Sequence, residues 1–207
     1  MGGQEGREGG QGVGDAEVPD AFRRATESLR AVRLRPQVVL EEGPAPQRLA
    51  PYALALSADV AGDDDEELGT GRFVVLHDPD GHEAWQGTFR VVTFVRAALE
   101  PDVAGDPLVP GVGWSWLVEA LEARSVPYLA ASGTVTRVVS EPFGTMADRE
   151  PTAELEIRAS WTALDWRLGP HLEAWSELLC TVAGLPPVAV GVVAIPRGPR
   201  AGGRKSR

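Results

Sequence analysis

Lysine is almost missing from this chain: the single example, Lys205, lies among glycine and arginine near the end, and asparagine is absent altogether. A Schiff-base lysine or a phosphate-loop lysine needs an ammonium inside the fold, and a tail lysine cannot supply one. Both classes of mechanism are set aside on that ground. One cysteine, Cys180, and three histidines complete a small stock of catalytic side chains. A lone thiol excludes an internal disulfide framework. The first residues show no basic start followed by an apolar stretch, so no secretory leader is predicted and the expected compartment is a reducing cytosol. The longest apolar stretch, Val188 to Ile195, falls far short of the ~20 residues a membrane helix requires. The formal net charge of −10 opposes a duplex nucleic acid partner, because that affinity comes mainly from cations that displace counterions from phosphates. Arginine in place of lysine and only two isoleucines, Ile157 and Ile195, read as the amino-acid bias of a GC-rich genome.

What is present is patterned. Residues 1–17 are Gly, Gln and Glu with almost nothing apolar and are predicted to be a disordered tail. Residues 197–207 form a second, basic disordered tail, which raises weak RNA contact as a third functional class, discouraged by the acidic remainder. Between them, residues 18–196 read as a single α+β domain. Phe22, Ala25, Leu29 and Val32 recur at helical spacing up to Pro36. Leu54, Leu56, Ala58 and Val60 alternate as a strand, and the acidic run Asp63 to Glu67 reads as a solvated loop. Asp78-Pro79-Asp80-Gly81 has the chemistry of a tight turn, so Arg72–His77 and Glu83–Arg96 are expected to pair as a hairpin with Trp85, Phe89, Val91 and Val95 on its buried face. A helix opens at Gly111-Val112-Gly113 and ends before Pro127. Gly133–Ser140 reads as a strand, and Ala153 to Ala163 shows the clearest period-two pattern of the chain. Leu172, Trp175, Leu179 and Val182 mark a third helix, and Val188–Ile195 a final short strand. The architecture predicted is a mainly antiparallel sheet with about three helices on one face. The shared spacing of Trp116–Pro127 and Trp175–Pro186 raises a repeated strand-strand-helix unit.

Four groups of residues carry candidate chemistry. His77 and His82, in a stretch with Asp78, Asp80 and Glu83, are the first ligands to test for a metal, although an exposed turn accounts for all five. Gly111 and Gly113, with Ser115, open a helix whose amides suit a small anion such as a phosphate, with Arg90 or Arg137 to neutralise charge. In an enzyme of that kind His77 or His171 would move protons. Ser115, Asp165 and His171 follow the chain order of an α/β-hydrolase triad, but Leu117 stands where the motif wants glycine, and Ser115 is expected instead to satisfy a free backbone amide. Trp116 and Trp166 fall off the apolar stripes and are candidate interface anchors. Cys180 reads as packing.

The segments Gly71-Arg-Phe-Val-Val-Leu-His-Asp-Pro-Asp-Gly, Val109-Pro-Gly-Val-Gly-Trp-Ser-Trp-Leu and Ser132-Gly-Thr-Val-Thr-Arg-Val resemble an actinobacterial family of unknown function, over about Ala21 to Ile195. The resemblance implies an actinobacterial, cytoplasmic protein and brings no activity, cofactor or catalytic residue. Between enzyme and binding module, the residues favour a non-enzymatic binding or assembly role without a cofactor, through an unidentified protein partner or self-association.

Overall fold

Period-two alternation over long stretches makes this chain a sheet, because a strand turns successive side chains to opposite faces and here one of those faces is continuously apolar. The structure is a computed structural model that describes residues 18–62 and 66–187. Its elements run α1 (Asp20–Arg30), β1 (Val38–Gly43), β2 (Tyr52–Ala61), β3 (Glu67–His82), β4 (Gly87–Leu99), a single turn α2 (Pro101–Ala104), α3 (Val109–Ala123), β5 (Tyr128–Ser140), β6 (Thr152–Ala163) and α4 (Gly169–Val182). All six strands form one antiparallel sheet in the order β1-β2-β3-β4-β6-β5. The α+β class is as expected. The two tails and the strand expected over Val188–Ile195 lie outside the described residues. Among the described residues no helix is long and apolar enough to cross a membrane.

The core lies between the sheet and the helices. Phe73, Val91, Val95, Ile157 and Trp161 on the strands meet Leu117 and Leu121 of α3, Leu172, Trp175 and Leu179 of α4, and Ala25 and Leu29 of α1. All the strand, α3 and α4 residues just named are completely buried. Each such aliphatic or aromatic side chain contributes roughly 1.5–3 kcal/mol on transfer from water. β4 and β6 pair at the centre of the sheet, so the hairpins β3–β4 and β6–β5 lie on either side of that seam. The helices cross over: α3, which follows β4, packs on β5, and α4, which follows β6, packs on β3 and β4. The strand-strand-helix order does occur twice, yet Trp175 is fully buried and Trp116 half-buried, so the matching positions do different work.

Three local expectations are corrected. β3 does not stop at His77; it runs to His82, which pairs with Gly87, and the turn is made by Glu83–Trp85 with Gln86 at φ 58°. Asp78 to Gly81 instead forms an irregularity within β3, where the Asp80 N–H donates to Asp78 Oδ1 at 3.1 Å and Gly81 takes φ 81°. The turn chemistry is spent on a bulge, and the register change carries Trp85 away from the helix-side core. α1 ends at Arg30, before Pro36 is reached. β1, for which the sequence offers no clean alternation, adds an edge strand carrying an exposed Val39 and the Glu41-Glu42 pair.

The face of the sheet turned away from the helices is only partly covered. Ala45, Ala50, Ala53 and Trp85 pack over Ala55, Val74 and Leu76, closing its β2–β3 portion. The β4–β6–β5 portion is bare, with Val92, Arg158, Thr134 and Val138 exposed.

Candidate functional site

The residues singled out as an anion site are not brought together. α3 begins at Val109, so the glycines lie inside it. The Val109 N–H goes to the Asp106 carbonyl (3.3 Å), Pro110 has none, and the Val112 N–H returns to the Leu108 carbonyl (3.0 Å). What remains of an amide cradle is Gly111. Gly113 is buried, and a Cβ there would stand 3.3 Å from Val135 and 3.4 Å from Ile157, so its lack of a side chain serves close helix–sheet packing. The Ser115 hydroxyl donates to the Val112 carbonyl at 2.9 Å, one turn back, rather than capping an amide. Arg137 holds the carbonyls of Ala104 and Asp106, both at 2.7 Å, and so ties the α2–α3 connection to β5. Arg90 points from the opposite face of the sheet.

The histidines likewise separate. His77 turns inward, where its ring stacks on Phe89 (4.1 Å between centroids) and Phe22 (5.8 Å) and its Nδ1–H donates to the Thr88 carbonyl at 3.0 Å. His82 lies past the bulge, exposed, stacked on Trp85 at 4.6 Å. Among the described residues no group of three or more His, Cys, Asp or Glu is placed to hold a metal ion. His171 is buried on α4, and its Nδ1 accepts the Trp161 indole N–H at 2.8 Å. With Ser115 bonded to its own helix, the hydrolase-like trio has no relay. Burial pushes His171 down to about 4 and also lowers His77.

Trp116 and Trp166, expected as exposed anchors, are both half-buried against the main core. The Arg24 guanidinium lies 3.9 Å over the Trp166 ring, which occupies that face with a cation–π contact. Cys180 is buried and its thiol is pushed up chiefly by burial. The native protein should therefore react with an aromatic disulfide reagent at least a hundredfold more slowly than the urea-unfolded chain, followed by thiolate absorbance. Equal rates would contradict the packing seen here.

One cluster does assemble polar side chains, and it was only partly visible in the sequence. On the bare face, the register sets Arg90 of β4 opposite Thr162 of β6, with Ser160 and Ser132 one pair further along. Arg90 is only 9% exposed. Its Nη1 donates to Thr162 Oγ1 (3.0 Å) and the Ala130 carbonyl (3.1 Å), its Nη2 to Ser160 Oγ (2.7 Å) and Ser132 Oγ (3.3 Å). All four acceptors are neutral. A buried guanidinium ordinarily pairs with a carboxylate, since desolvating an uncompensated charge is costly, and burial pushes the Arg90 pKa below the usual arginine range. Beside this cluster is an open depression of about 240 Å³ lined by Val92, Ser132, Thr134, Arg158 and Ser160. Arg158 bonds Glu156 at 2.9 Å and lies 5.3 Å over the Phe94 ring. Arg72, across β4 from Arg158, donates to the Pro44 carbonyl at 2.6 Å. Arg72, Arg90, Arg96 and Arg158 share this face with Glu154, which pairs with Arg96, and Glu156, which pairs with Arg158, so Arg72 and Arg90 are its arginines without a carboxylate partner among the described residues.

Against known sequences, the model of a family described as protein of unknown function, DUF3000, matches residues 18–193. Neither a curated protein nor a solved structure matches the chain.

Proposed function

We propose that this chain, which belongs to the DUF3000 family, is a non-catalytic binding module that engages an acidic protein surface through the bare β4–β6–β5 face of its sheet. The observation that carries this reading is the asymmetry of the sheet: three helices cover one face, and the other leaves Val92, Phe94, Arg96 and Arg158 over its uncovered strands, beside the buried Arg90. Exposed apolar side chains beside arginine have the composition of interface centres, and the buried Arg90, which has no carboxylate partner among the described residues, favours an oppositely charged partner. The buried side chains support it as well. His77, His171 and Cys180 sit in packing positions, where substrate does not reach them. An actinobacterial, cytoplasmic setting belongs to the same reading; arginine bias and a lone buried thiol are consistent with it.

The test uses the tagged full-length chain to capture its partner from native extract, with identification by mass spectrometry. Arg158→Glu and Val92→Asp are each expected to reduce capture at least tenfold, and added salt to weaken it, while Ser115→Ala on the helix side leaves it unchanged. Capture that survives Arg158→Glu but is lost in Ser115→Ala would move the contact to α3 and sink the proposal. If the captured protein is a second copy of this chain, light scattering of the purified protein reports the dimer directly.

A further inference from the structure

The three hydroxyls bonded to Arg90 differ in what they do next. A hydroxyl that accepts a hydrogen bond keeps one hydrogen to donate. Thr162 spends its own on the Trp85 carbonyl at 2.5 Å, completing a relay from guanidinium to backbone. Ser132 and Ser160 accept from the same guanidinium, yet among the described residues their onward partner is each other, at a long 3.5 Å. Both line the open depression. Charge-assisted bonds from Arg90 polarise these hydroxyls and strengthen their outward donation.

From this geometry we infer that the depression is a carboxylate subsite: an anionic oxygen from the partner accepts from Ser132 and Ser160, Arg158 closes the rim, and Val92 and Phe94 receive the apolar group next to the carboxylate. The choice of carboxylate follows from charge. Arg158 is balanced by Glu156 and Arg96 by Glu154, which leaves Arg90 as the one buried uncompensated cation of the cluster. One fixed positive charge matches a monoanion, and a phosphate dianion would leave an excess negative charge at a site with no lysine and no second free guanidinium within the depression. An incoming carboxylate supplies the counter-ion that Arg90 lacks, relayed through two hydroxyls. The subsite rests on the binding-module reading for the identity of its occupant, though its chemistry is testable without a partner.

The experiment titrates the isotope-labelled full chain with acetyl-Leu-Glu-Leu-amide, with the same peptide carrying Gln, with benzoate and with inorganic phosphate, following backbone amide shifts. The expected result is saturable shifts centred on Ser132, Gly133, Arg158 and Ser160, at least tenfold tighter for the Glu peptide than for the Gln peptide and tighter than for phosphate. Ser132→Ala with Ser160→Ala should weaken Glu-peptide binding about tenfold, and Arg158→Gln a few-fold; Ser132→Ala alone, on an exposed position, serves where the double variant fails to fold. Equal binding of Glu and Gln peptides, tighter binding of phosphate, or shifts unchanged in the serine variants would overturn the subsite. Benzoate binding more tightly than the Glu peptide, and lost in the serine variants, would keep the subsite and assign it to a free organic acid, overturning the protein-surface reading alone.

Discussion

Gly133→Ala is expected to destabilise the protein by roughly 3 kcal/mol or more, and to do so through backbone rather than through any lost contact. Gly133 sits where β5 pairs with Ala159 of β6, just past a register irregularity between Leu129 and Ser132. A Cβ added there would fall well inside 3.0 Å of the Arg158 carbonyl oxygen, 2.8 Å from Trp114 Cζ3 and 3.0 Å from the Ala159 Cα. An indole can shift; a carbonyl and a Cα of the neighbouring strand cannot without parting the β5–β6 ladder. Denaturant unfolding should show the loss as a lower midpoint. Gly111→Ala, where nothing lies within 4 Å, is the matched control and should be neutral to mildly stabilising, since alanine favours a helix over glycine. A Gly133→Ala protein as stable as the parent would mean that β5 does not run this close to β6.

The second large effect is a loss of stability in mild acid. His171 is fully buried with its Nδ1 committed to accepting from Trp161, and burial pushes its pKa to about 4 against an ordinary value of 6.5. The folded state therefore holds the neutral ring while the unfolded chain binds a proton below 6.5. Stability is complete above that value and is lost progressively as pH falls from 6.5 towards 4, by about 3 kcal/mol for a shift of that size. His77, also lowered by burial, acts in the same direction. Thermal midpoints measured across that interval should fall steeply. His171→Gln keeps an acceptor for the Trp161 indole and removes the titration, so its profile should be visibly flatter; a slope identical to the parent's would refute the assignment to His171.

Much of this molecule is legible in the order of its residues, wherever a local period governs. The alternation from Ala153 to Ala163 became β6 with Trp161 at its centre, and the spacing of Leu172, Trp175 and Leu179 became α4. What failed lay in irregular registers and hidden element ends as well as in pairing between strands far apart in sequence. Asp78-Pro79-Asp80-Gly81 has turn chemistry, but the His82–Gly87 pair turns it into a bulge, and that moved Trp85 onto the other face. β1 is short, with Val38, Val39 and Leu40 followed by Glu41 and Glu42, so no period announces it. Gly111 to Ser115 looked like an open helix terminus because the helix start at Val109 hides behind Pro110, a residue that suits a first turn. The polar cluster was half-visible: Arg90 stood out, whereas Ser132, Ser160 and Thr162 are 42, 70 and 72 residues away in sequence and meet it only through register.

The crossing of the two helices over each other's hairpins bears on how the chain folds. If each helix covered the hairpin that precedes it, either half would bury its own apolar face and could form first. Here α4 shields β3 and β4, which end at His82 and Leu99, long before Gly169 opens α4, and α3 shields β5, which has not yet been synthesised when α3 emerges. Neither half is a kinetic unit. Assembly waits for contacts of long sequence separation, which slows folding. Until α4 docks, the growing chain presents an unshielded β3–β4 hairpin, the species most exposed to mispairing during synthesis.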